Sequence, residues 1–217
     1  MKPVIGYKFV QKNMKSKEGD CKWKLGKWKK FGGEIRLCER GFHASPTPLD
    51  SLEYIYGDRW FIVEARGRIE KEGDKFVASE MRLVKELPVK KILPLFSIAC
   101  ARHVLHFYTE KYPNDKRPAE ALDAAENYLN SPTRANLTKL TAAQDAARAA
   151  AQDAAWDAAR AAAGDAARAA ARAAAQDAAW DAARDAAWDA ARAAAWDAER
   201  KWQARKLVEL IKEAGKG

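Results

Sequence analysis

The chain is 217 residues long with a formal net charge of +9, which allows two small domains or one large one. Its charged and apolar fractions are both high, which excludes wholesale disorder. The longest apolar stretch, residues 92–101, contains Pro94 and Ser97 and is too short to cross a bilayer. No secretory leader follows Met1-Lys2-Pro3, and three widely spaced cysteines, Cys21, Cys38 and Cys100, suit a reducing compartment better than a disulfide framework. A cytoplasmic protein with no membrane partner is expected.

The charge is uneven. Residues 1–95 hold 21 Lys and Arg against 13 Asp and Glu, whereas residues 96–217 hold 18 against 17, so basicity belongs to the N-terminal part. It is densest where Lys22, Lys24, Lys27, Lys29 and Lys30 interleave with Trp23, Trp28 and Phe31. Such alternation describes either a strand with one wet and one dry face or a segment that holds phosphate or nucleic acid. Lys22, Trp23, Lys24 and Trp28 are its ligand-binding candidates.

In chain order, residues 4–10 alternate as a strand does, residues 12–20 form a polar loop, and residues 23–28 and 34–38 suit short strands on either side of a Gly32-Gly33 turn. Pro48 suits the first turn of one short helix over 48–56. Residues 60–69 are the clearest strand, and 75–87 its antiparallel partner across a polar turn. From residue 88 the pattern changes to helical periodicity, over 92–111 and again from Pro118 to Leu129. Ser131 or Thr133 then stands ready to cap the next helix. The fold class expected is α+β: a small β-rich basic domain over 1–90 with one short helix, followed by an all-α alanine-rich domain over 91–217.

From residue 142 to 200 the second domain repeats every four residues. Alanine fills 34 of the 60 residues between 141 and 200, and alanine is the strongest helix former. Asp three residues before Arg, as at Asp145/Arg148 and Asp197/Arg200, adds roughly 0.2–0.5 kcal/mol per pair on a helix. A four-residue step overshoots a turn by ~40°, so the large side chains drift around the helix and mark no single buried stripe. An antiparallel bundle of shorter helices tolerates this drift, and one very long helix is the alternative. Each of Trp156, Trp180, Trp188, Trp196 and Trp202 either plugs the space left by flanking alanines or, beside arginines such as Arg184 and Arg192, offers an aromatic platform on the helical surface. The tract's own balance, seven Arg against nine Asp and one Glu, disfavours nucleic acid there.

No nucleophile elbow, phosphate-binding glycine loop or HExxH motif is present. Cys38-Glu-Arg-Gly-Phe-His43 is the most pointed short motif. Two ligands five residues apart make a weak metal site, so neither metal nor cofactor is expected. His103 and His106 read as satisfied or solvent-facing helix residues, and Glu64 and Glu80 as strand residues paired with arginines such as Arg66 and Arg82. Cys38, His43, Tyr54 and Arg66 complete the ligand-binding candidates.

Three resemblances add to this. Gly6-Tyr-Lys8, the run Leu37-Cys-Glu-Arg-Gly-Phe-His-Ala-Ser45, Leu49-x-x-Leu-Glu-Tyr54, Val63-Glu-Ala-Arg-Gly67 and Gly73-Asp-Lys75 resemble an uncharacterised domain of phage and bacterial proteins. Ser45 stands where that pattern has Cys, which counts against a metal or redox role. Cys100-Ala-Arg-His-Val-Leu-His106, Tyr112-Pro-Asn-Asp115, Arg117-Pro118, the alanine tract and Trp202-Gln203 are similar to the alanine-rich immunity proteins of bacterial toxin systems. That resemblance implies a non-enzymatic binder, of immunity or phage counter-defence type, that sequesters a protein toxin or a nucleotide-like signal. It also leaves open self-association through the alanine-rich helices. Finally, Gly41-Phe-His-Ala-Ser45 and the elements after it follow one another as in ADP-ribosyltransferase folds, which would give an enzyme using His43, Tyr54 and Glu80. A nucleic-acid binder acting through residues 22–31 is the third class.

Overall fold

A computed structural model describes residues 2–17, 21–173 and 178–215, with 155–173 and 178–195 described by backbone alone. It has the expected α+β arrangement: an antiparallel sheet within residues 4–87, then helices from 89 to 214. The chain divides into two compact units, one of residues 1–96 with 202–217 and one of residues 97–201.

The first unit is organised by one long hairpin. β4 (Arg59–Glu72) and β5 (Lys75–Leu87) pair antiparallel through a turn with Gly73 at φ 55°, a conformation glycine adopts without strain. β1 (Val4–Val10) pairs with the free edge of β4, and β2 (Lys29–Lys30) and β3 (Phe42–Ala44) with that of β5. The sheet then closes on itself, because Tyr7 and Ser45 exchange backbone N–H···O bonds of 2.8 and 2.9 Å. Side chains alternate across such a sheet. Val10, Phe61, Val63, Ala65, Phe76, Ala78, Met81 and Leu83 gather inside, with Trp23 from a loop. Gly6 belongs to this face for steric reasons: a Cβ there would lie 2.7 Å from the Phe76 ring.

On the outer face Phe9 stacks on fully buried Trp60, with centroids 5.4 Å apart and planes 4° from parallel. Trp60 Nε1 donates to Ser51 Oγ at 3.0 Å, which fixes α1 (Pro48–Ser51) against the sheet. Thr47 Oγ1 caps α1 by accepting the Asp50 N–H at 3.1 Å. The expected helix over 48–56 ends sooner, in a 3-10 turn at Leu52–Tyr54.

Two expected strands are absent for local reasons. Residues 23–28 instead form a turn around Gly26, at φ 73°, whose N–H bonds to the Leu83 carbonyl, and only Lys29 and Lys30 pair with β5. Residues 34–38 fold into a turn closed by the Arg36–Arg40 bridge, with Cys38 at φ 65°.

α2 (Val89–Lys111), α3 (Arg117–Asn130), α4 (Arg134–Ala173) and α5 (Ala178–Ala214) follow. Thr133 Oγ1 accepts from the Asn136 N–H at 3.2 Å, the expected cap for α4. Ile92, Phe96, Leu207 and Leu210, from the start of α2 and the end of α5, are buried within the first unit. The tetrad tract falls in α4 and α5. Whether it runs as one helix turns on residues 174–177, which lie outside the described residues. Among the described residues no helix is long and apolar enough to cross a membrane.

Lys8 shares the inner face with Gly6 and Val10. Its amine donates to the His43 carbonyl at 2.8 Å and lies 5.9 Å from the Trp23 ring. Burial pushes its pKa down to about 8, against a smaller opposing effect of Cys21. Between pH 8 and the ordinary lysine value the unfolded chain binds more protons than the folded one, so stability rises with pH in that window. Urea melts of the intact chain are expected to gain roughly 2–3 kcal/mol from pH 8 to 10.5, and Lys8→Met to lose this gain. Gly6→Ala is expected to cost about 1–3 kcal/mol in the same melts, because the Phe76 ring must move.

Candidate functional site

The outer face of β1 and β3 forms the back wall of a cavity of about 90 Å³. Tyr7 and Phe9 alternate outward from β1, His43 and Ser45 flank the inward Ala44, and the segment after α1 brings Tyr54 and Tyr56; Lys75 opens β5 beside them. His43 Nε2 accepts the Cys38 backbone N–H at 2.9 Å, so in the neutral ring the proton sits on Nδ1. Burial, then the nearby Lys8 and Lys75 charges, hold His43 below the ordinary histidine value, against hydrogen bonds with the Gly41 and Arg36 backbone. The neutral imidazole is favoured. Tyr54 Oη donates to Asp74 Oδ2 at 2.8 Å, which raises the phenol's pKa. Lys75 is held above its ordinary value, first by a hydrogen bond with the Cys38 thiol and then by Tyr54.

Two of the sequence candidates, His43 and Tyr54, line this cavity, and Cys38 reaches it through its hydrogen bond to His43; the fourth of that set, Arg66, does not. Its guanidinium lies 4.0 Å over the Trp28 ring, and Arg82 lies 4.9 Å from the same ring. Each arginine also pairs with the carboxylate opposite it, Arg66 with Glu80 at 2.8 Å and Arg82 with Glu64 at 2.6 Å. Both glutamates are thereby engaged in the arginine pairing read from the sequence. Glu80 is not among the cavity's lining residues, so His43 and Tyr54 meet without it. Trp23 is 2% exposed, and its Nε1 donates to Ser16 Oγ; it fills the core and offers no free face to a base. Lys22 and Lys24 are exposed.

Within the second unit polar contacts tie the helices together. Arg102 of α2 bonds Asp123 and Glu126 of α3, at 2.6 and 2.8 Å. Arg117 at the start of α3 bonds Asp115 and reaches Asp153 of α4 at 3.0 Å. His103 of α2 meets Glu199 of α5 at 3.3 Å. Two exposed aromatic rings lie one turn from that last contact: Phe107, after His103 and 67% exposed, and Trp196, before Glu199 and 68% exposed. The side chains of Trp156, Trp180, Arg184, Trp188 and Arg192 lie outside the described residues. Among the described residues, no group of three His, Cys, Asp or Glu side chains is placed to hold a metal ion.

Tyr7, Tyr56, Lys75 and Phe107 were not singled out by sequence. The period-two alternation of residues 4–10 already puts Tyr7 and Phe9 on one face. Nothing local says that β3 will close against β1 and turn that face into a pocket wall.

A family model described as a domain of unknown function (DUF7666) matches residues 4–94, and one described as Imm-5 like putative immunity protein matches residues 85–210. This is the layout the motifs suggested, an uncharacterised N-terminal domain joined to an immunity module. No curated protein and no solved structure matches the chain.

The Arg117 guanidinium, then the Tyr108 hydroxyl, hold the Asp115 carboxyl well below the usual carboxylate range. A depressed carboxylate contributes stability above its unfolded pKa and loses it as pH falls. The protection factors of amides in the first turn of α3 are therefore expected to fall below about pH 4, and those of Asp115→Asn to be low at all pH values with no such step.

Proposed function

Because the chain belongs to the Imm-5 like putative immunity proteins through residues 85–210, we propose that it neutralises a protein toxin by binding it, without catalysis. The contact surface of this reading is the part of the helical unit that carries Phe107 and Trp196. The observation that carries it is their exposure, 67% and 68%, each one helical turn from the His103–Glu199 contact. Large aromatic rings left in water on an otherwise alanine-rich, charged surface are what protein interfaces use as anchors. Alanine tracts supply a stiff frame that holds such anchors at fixed spacing while offering little apolar area of their own. The encounter takes place in the cytoplasm, a compartment that suits the three free cysteines. Carriage by a phage, against a host toxin, is the counter-defence form of the same reading.

Cells producing a toxin of the strain that carries this chain are expected to grow when the chain is co-expressed, and native mass spectrometry to show a stoichiometric complex. Phe107→Asp with Trp196→Asp is expected to weaken that complex at least tenfold while leaving helix content unchanged, since both rings are exposed. Growth inhibition despite co-expression, or a double variant that binds as tightly as the parent, would remove the reading.

A further inference from the structure

The cavity on the first unit is not accounted for by a toxin-binding helical module. Its walls are aromatic: Tyr7, Phe9, Tyr54 and Tyr56. At about 90 Å³ it has room for a ring rather than an extended chain. Around the rings stand cations. Lys75 Nζ lies 5.6 Å from the Tyr54 ring and Lys17 Nζ 4.0 Å from the Tyr56 ring. The carboxylate alongside, Asp74, already accepts the Tyr54 hydroxyl at 2.8 Å. Burial, then the charges of Lys8 and Lys75, disfavour the charged form of His43, so the cations here are lysines. Flat apolar walls with ammonium groups at the mouth suit a planar ring carrying an anionic group.

We propose that this pocket binds a free mononucleotide, with the base against Tyr54 and Tyr56 and the phosphate at Lys75. Aromatic stacking accepts any base because every base has a π-face, and a lysine ammonium serves as a point charge for phosphate. Cys38 supports the site from its rim. Its backbone N–H fixes the His43 ring at 2.9 Å. The site belongs to the first unit, so it stands or falls separately from the toxin-binding surface.

The test is calorimetric titration of the full chain with AMP, GMP, CMP and UMP and with the four matching nucleosides. At least one monophosphate is expected to bind with a Kd below about 1 mM, and its nucleoside about tenfold more weakly, the difference set by one charge-assisted contact. Lys75→Gln is expected to abolish that preference while leaving nucleoside binding as it was. Tyr54→Leu is expected to weaken both ligands about tenfold; if it fails to fold, Tyr56→Leu, on an exposed ring, takes its place. Phe107→Asp with Trp196→Asp is expected to bind the nucleotide as the parent does. Absence of heat with all four monophosphates up to 1 mM, a nucleoside that binds as tightly as its monophosphate in the parent, or a monophosphate affinity untouched by Lys75→Gln and the tyrosine variant would each overturn the proposal.

Discussion

Two backbone hydrogen bonds between Tyr7 and Ser45 bring the first strand of the sheet onto the end of the third, and the first unit depends on that closure. Without it the β4–β5 hairpin and its neighbours would be an open sheet with a bare β1 edge, the kind of edge that invites pairing with other chains. With it, the sheet acquires an inside and an outside. The inside is filled by Phe61, Phe76, Met81, Leu83 and Trp23. The outside gains a concave wall where Tyr7 and His43 come side by side. Gly6 is the local condition for this, because any side chain there would occupy the position of the Phe76 ring.

The closure also explains the unusual state of Lys8. An inward position on a short strand places a lysine where a hydrophobe would be ordinary. The His43 carbonyl and the Trp23 ring accommodate the amine without a carboxylate, at the expense of its charged form. The same buried ammonium adds to the burial that lowers the pKa of His43. One inward lysine thus links the core of the first unit to the electrostatics of the pocket on its outer face.

The helical unit is held by a different physics. Alanine faces bury little area, and arginine ion pairs join the helices, Arg102 to α3 and Arg117 to α4, beside the His103–Glu199 contact. Exposed pairs of this kind contribute modestly, but they set which helix neighbours which. Among the described residues, a framework held this way leaves the rings of Phe107 and Trp196 on the surface.

Much was legible from local pattern alone. Period-two alternation marks β1, β4 and β5; helical periodicity and proline and threonine punctuation mark α2, α3 and the start of α4; alanine content marks α4 and α5. The pairing of Glu64 and Glu80 with arginines was legible too, because residues of opposite charge alternate along two strands joined by a tight turn. Residues 23–28 and 34–38 read wrongly as strands because their fate rests on positive φ at Gly26 and Cys38, and the Gly26 turn is stabilised by a carbonyl on distant Leu83. Composition and spacing thus determined which segments coil, which extend, and that a basic β domain precedes an alanine-rich helical one. Only the tertiary structure decided that Trp23 is core while Trp28 lies between two arginines, that Cys38, His43 and Tyr54 meet, and that Phe107 is left in water. These outcomes depend on pairings between residues far apart in the chain, and loop closure and side-chain packing leave no periodic trace in the residues they bring together.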